Sequence, residues 1–98
     1  MNVEEYLSQN KESIAQECET IASQGSKPII TLKKSDRDYM LKIGTVEEFT
    51  TTIPDNKFFK KMRDGITNAV INKVIPVVVF EGQKAQIISF SDYLDDEK

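Results

Sequence analysis

Apolar β-forming residues concentrate in residues 74–90, VIPVVVFEGQKAQIISF. Val, Ile and Phe pack well on a pleated surface, so the spacing predicts strands over residues 75–80 and 85–90. Pro76 lacks an N–H and belongs at a strand start or an edge. Gly82 at the first loop position suits a two-residue turn of type II′, which needs φ > 0 there. That register sets Glu81 against Lys84, Phe80 against Ala85 and Val78 against Ile87. The other side of the hairpin collects Ile75, Val77 and Val79 with Ile88 and Phe90. Both sides are apolar, so the strands are either covered twice or meet a partner on the second side.

The remaining chain has different periods. Val3, Tyr6, Leu7, Ile14, Cys18, Ile21 and Ala22 recur at helical spacing, which predicts a helix over residues 2–24. Asn2 caps it, with Glu5 three residues on. The stretch Ser8-Gln9-Asn10-Lys11 is its weak point, and Gly25 is a suitable stop. Residues 29–33 and 39–43 alternate as a half-buried hairpin around a polar turn, Ser35-Asp36-Arg37-Asp38. Ile30, Leu32, Leu41 and Ile43 fall on its inner face; Thr31, Lys33 and Lys42 fall behind, with Ile29 and Met40 at the ends. Thr45 and Glu48 have capping-box spacing and predict a short helical turn. Pro54 ends that segment. Asp55 or Asn56 then caps a second helix over residues 57–73, with Phe58, Phe59, Met62, Ile66, Ala69 and Val70 as its buried stripe. Gly65 inside this helix costs about 1 kcal/mol against Ala and points to a close approach by another element.

The halves, about residues 1–49 and 55–94, repeat one grammar. Pro28-Ile29-Ile30 corresponds to Pro76-Val77-Val78, and Thr45-Val46-Glu47-Glu48-Phe49 to Ser89-Phe90-Ser91-Asp92-Tyr93. The predicted fold is a single α+β domain over residues 1–98. It is a two-layer αββαββ sandwich, with two helices on one face of a mainly antiparallel four-stranded sheet. An internal duplication would account for it.

The run IPVVVFEGQKAQIISFSDYL resembles the strand–turn–strand–helix element of Phd/YefM-type antitoxins, and QGSKPIITLKKSDRDYMLKIGTVEEF resembles it more loosely. The resemblance implies a dimeric DNA-binding repressor that neutralises a toxin. Here the pattern occurs twice.

Composition narrows the chemistry. The 98 residues fit one domain, with 39% hydrophobic and 30% charged content. A core of this size is modest, and dimerisation would help it. A net charge of −3 disfavours a broad nucleic-acid surface. The single cysteine, Cys18, excludes an internal disulfide and fits a cytoplasmic setting. No apolar run is long enough to span a bilayer. There is no histidine, which removes the commonest general base and metal ligand. Cys18 sits between Glu17 and Glu19, which oppose a thiolate, so a buried packing role is expected. No phosphate-binding glycine loop occurs. Asp92, Asp95, Asp96 and Glu97 lack calcium-loop spacing and read as a solvated acidic end, as do Asp36 and Asp38 in the first turn.

These features predict a non-enzymatic regulator, adaptor or inhibitor acting by protein–protein contact, without cofactor or metal, as a homodimer. Its anchors would be Val77, Val79, Ile88 and Phe90. Lys57, Lys60, Lys61 and Arg63 crowd the start of the second helix and form a candidate patch for an anion or an acidic partner. On phosphates the same patch would make an antitoxin-like, nucleic-acid-associated regulator. The acidic first helix and end segment would instead suit a nucleic-acid mimic that occupies a DNA-binding protein.

Overall fold

The structure is a computed structural model that describes residues 2–36 and 38–90. The elements run α1 (Val3–Gln9), α2 (Lys11–Ser23), β1 (Pro28–Lys34), β2 (Tyr39–Thr45), α3 (Val46–Thr52), α4 (Lys57–Ile71), β3 (Pro76–Glu81) and β4 (Lys84–Ser89).

Local chemistry sets the helix ends. The Asn2 side chain accepts from the Glu5 N–H at 2.8 Å, Thr45 Oγ1 from the Glu48 N–H at 3.2 Å, and Asn56 Oδ1 from the Phe59 N–H at 3.1 Å. The weak point of the first helix becomes a break at Asn10, whose side-chain amide donates to the Tyr6 carbonyl at 2.9 Å. Both long helices end alike. Gly25 N–H donates to Ala22 O and Ser26 N–H to Ile21 O; Lys73 N–H donates to Val70 O and Val74 N–H to Ala69 O. This closure puts the first residue of each pair in the left-handed region, at φ 84° for Gly25 and 60° for Lys73.

The sheet order is β2-β1-β3-β4. The two hairpins are antiparallel and adopt the predicted registers, with Leu32 opposite Leu41 and Val78 opposite Ile87. Gly82 has the positive φ, 62°, that its turn position needs. The hairpins join through β1 and β3, which run parallel from Ile30↔Val77 to Lys33↔Phe80. The α+β class and the mainly antiparallel four-stranded sheet thus agree with the sequence pattern.

The placement of the helices does not. Alternate residues of a strand point to opposite faces. Leu7, Ile14 and Cys18 of α1 and α2 pack with Ile30, Leu32, Val77, Val79 and Phe90. Met62 and Ile66 of α4 pack instead with Ile29, Ile53 and Val78. The helices therefore cover opposite faces, in three layers rather than two. The parallel seam is the reason. It lays the second unit beside the first turned over, so that α4 lands on the face α2 leaves bare. The back of the first hairpin is correspondingly less solvated than its pattern suggested, since Ile29 is fully buried there. The end cap expected at Ser91-Asp92-Tyr93, and the acidic residues Asp92, Asp95, Asp96 and Glu97, lie outside the described residues.

A basic groove beside an open strand edge

The proposed anchors are core. Val77 and Phe90 have no exposed surface and Val79 has 2%. Ile88 is half-buried and packs against the same cluster. The Phe90 N–H donates to Ile75 O at 2.9 Å, which ties the end of the second hairpin back to its start. The doubly apolar hairpin is covered twice within one chain because β3 is central. The argument for a second copy hiding that surface falls with it.

The basic cluster divides. Arg63 is not a surface cation: its Nη2 donates to the Ile53 carbonyl at 2.8 Å, holding the segment between α3 and α4 against α4. Lys57, Lys60 and Lys61 are exposed and make no ion pair among the described residues. Lys84 likewise makes no ion pair among the described residues. Its strand neighbour Glu81 turns the other way, to Lys34 Nζ at 3.2 Å on β1. That carboxylate raises the Lys34 pKa by hydrogen bonding and charge.

Lys57 and Lys61 rim a groove of about 560 Å3 between α4 and β4. Phe58 and Met62 form its wall with Gly65, and Ala85, Gln86 and Ile87 its other side. Gly65 makes the close approach possible. A Cβ there would sit 2.7 Å from Ile87 Cδ1, well inside contact distance. A smaller depression, about 340 Å3, lined by Phe58, Ala85 and Gln86, continues the groove over the edge of β4 to Val79, Glu81 and Lys84. β4 is an outer strand of the sheet, so the groove follows a strand edge with no neighbour among the described residues.

The helical spacing puts Phe58 in the buried stripe, but it is 52% exposed, standing edge-on to Phe59 with ring centroids 4.9 Å apart. The sequence held the signal. Neighbouring residues on a helix point about 100° apart, so two adjacent aromatics cannot share a narrow buried stripe. The groove's other side, Ala85 to Ile87, carries no sequence signal beyond that of a hairpin strand.

A second cleft, about 460 Å3, lies where α2 and α4 end, lined by Cys18, Ala22, Pro28, Val70, Val74 and Pro76 among others. Burial, and then the neighbouring Glu17, pushes the Cys18 thiol up to about 11, so its reactive thiolate is disfavoured. Among the described residues no three His, Cys, Asp or Glu side chains gather as a metal site would require. Among the same residues no helix is long and apolar enough to cross a membrane. No family model, no curated protein and no solved structure matches this chain.

Proposed function

We propose that this protein is a non-enzymatic regulator, adaptor or inhibitor that works by protein–protein contact, and that it docks its partner in the groove between α4 and β4. One observation carries the reading. A large aromatic, Phe58, is left half in water beside lysines and a strand edge that have no partner among the described residues. An open strand edge is a feature that proteins ordinarily suppress unless something binds there. We also take the matched helix ends and the matched core positions of the two halves as marks of a duplicated unit.

A photo-crosslinking residue tests the docking reading. Placed at Gln86, on the edge strand, it should give polypeptide adducts in a native extract. Placed at Glu12, on the opposite layer, it should give few. Equal adducts at both positions, or none at Gln86, would remove the reading.

The exposed triad Lys57, Lys60 and Lys61 favours one alternative, an antitoxin-like regulator that sets these lysines on phosphates. Binding of that kind weakens steeply with salt. Absence of duplex and single-strand retention at low ionic strength would eliminate it. In a mimic of nucleic acid the acidic layer of α1 and α2 would be the active surface instead. Neutralising Glu4, Glu5, Glu12, Glu17 and Glu19 would then abolish inhibition and leave the fold intact.

A further inference from the structure

We infer that the α4–β4 groove takes an extended acidic peptide segment, added to the sheet as a further strand beside β4, with alternate carboxylates on Lys57 and Lys61. This rests on reading the groove as a docking surface and names the occupant.

The edge supplies the backbone half of the argument. The depression runs along Lys84, Ala85 and Gln86, and beyond β4 the sheet has no further described strand. An outer strand offers a row of unpaired N–H and C=O groups, and an extended peptide satisfies them by adding on. Such a peptide lies about 4.8 Å from β4 and turns every second side chain toward the helix layer. On that side it meets Lys57, Phe58 and Lys61, which line the same groove as Ala85 and Ile87.

Spacing supplies the second half. Lys57 and Lys61 are one helical turn apart, about 6 Å along α4 at 1.5 Å per residue. Side chains two apart on a strand are separated by about 6.7 Å. An acid-x-acid segment therefore presents its carboxylates at the period of the two lysines. Phe58, in the same groove wall, gives an apolar contact for the methylene stems of those acidic side chains. Charge argues for this occupant over the others. Lys57, Lys61 and Lys84 have no acidic partner among the described residues, because Glu81 is held by Lys34. A second copy pairing β4 with β4 would bring two sets of these lysines together, which like-charge repulsion opposes. The net charge of −3 weighs against a nucleic-acid strand.

The test is an NMR titration of the 15N-labelled full chain with three heptapeptides, in which valine alternates with glutamate, glutamine or lysine. The glutamate peptide should shift the amides of residues 84–89 and bind roughly tenfold or more tighter than the glutamine peptide at low salt, converging with it at high salt. K57E/K61E should remove that preference while the spectrum of the free protein stays folded. N-methylation of alternate peptide residues should abolish binding, which a contact through side chains alone would survive. Equal binding of the glutamine or lysine peptide in the groove overturns the acidic partner and leaves the docking reading standing. Shifts in the groove from a short DNA duplex but from no peptide replace the partner class. No shift in the groove from any probe overturns both.

Discussion

The two faces of the sheet are built from the same parts and finished differently. Ile14 and Cys18 of α2 have counterparts 48 positions later in Met62 and Ile66 of α4, each pair packing on its own face. Gly25 and Lys73 close the two helices with the same hydrogen bonds. The Val46 N–H bonds back to Lys27 O as the Phe90 N–H does to Ile75 O. Outside these shared positions the layers part. The water side of α2 carries Glu12, Glu17 and Glu19, while that of α4 carries Lys57, Lys60 and Lys61. Where α2 has Glu17, α4 has Gly65, and only α4 has an aromatic left exposed beside a groove. The shared positions are those that hold the sheet, and the divergent ones are those that a partner would touch. Acidic and basic layers on opposite faces also cannot mate in a closed two-fold dimer. Acid meeting base would be head-to-tail, closing into a ring or running on as a filament.

The largest effect should come from testing whether both faces are core. A carboxylate at Val77 faces the α2 layer and one at Val78 the α4 layer, and neither residue has any exposed surface. Val77→Asp and Val78→Asp should each unfold the chain, at a cost of about 4 kcal/mol or more for an unpaired buried charge. Loss of the folded circular dichroism signal in both is the expected result. A folded Val77→Asp protein would return that side of β3 to the surface.

Gly65→Val and Glu17→Val change equivalent positions of the two helices. The first sets branched bulk against Ile87, whose Cδ1 would lie 2.7 Å from the new Cβ and must turn away. It should cost about 1–3 kcal/mol by urea unfolding. The second lies on an exposed helix face and should stay within about 0.5 kcal/mol. Similar losses would mean that α4 lies no closer to its strand than α2 does.

The helix ends come next. Gly25→Ala places a side chain at φ 84° and should cost about 1 kcal/mol, while Lys73→Gly relieves φ 60° and should gain somewhat less than that. Opposite signs in thermal unfolding are the check.

The last effect is confined to alkaline pH. The Cys18 thiol has its pKa raised from 9.0 to about 11 in the folded state, so the unfolded chain releases this proton first. Stability from this group is complete below pH 9, declines as pH rises through the interval up to about 11, and is then level. Cys18→Ala should flatten that part of the unfolding profile relative to the parent. Equal slopes in the two proteins would mean that the thiol is not desolvated.

Both hairpin registers and the caps at Asn2 and Thr45 were legible in the sequence, and the third was narrowed to Asp55 or Asn56, because each is decided within a few residues. Gly82 sets one turn, and Asn2, Thr45 and Asn56 each reach an N–H three positions on. The side of the sheet each helix takes was not legible. It depends on whether β1 meets β3 in parallel, a contact between residues such as Ile30 and Val77 that no local pattern encodes. Part of the signal was there. Ile29 and Ile30 are both buried on opposite faces, as are Val77 and Val78, so both central strands asked for two covers. The candidate site was half legible. Lys57, Lys60 and Lys61 stood out as charge, but Arg63 belonged to the same run and turned inward to Ile53. Phe58 fits the apolar stripe by spacing yet faces water. The strand edge that completes the groove exists only once the sheet order is known.

The parallel seam also orders the events of refolding. Each hairpin and its helix involve neighbours in sequence and can form early. Pairing Ile30 with Val77 must first close a long loop, at an entropic cost of about 3 kcal/mol. Until that happens each half carries a bare apolar sheet face and a free central strand. At high protein concentration the same strand on another molecule competes for it, and exchange of halves about the hinge at residues 53–56 would reproduce every bond of the single-chain fold.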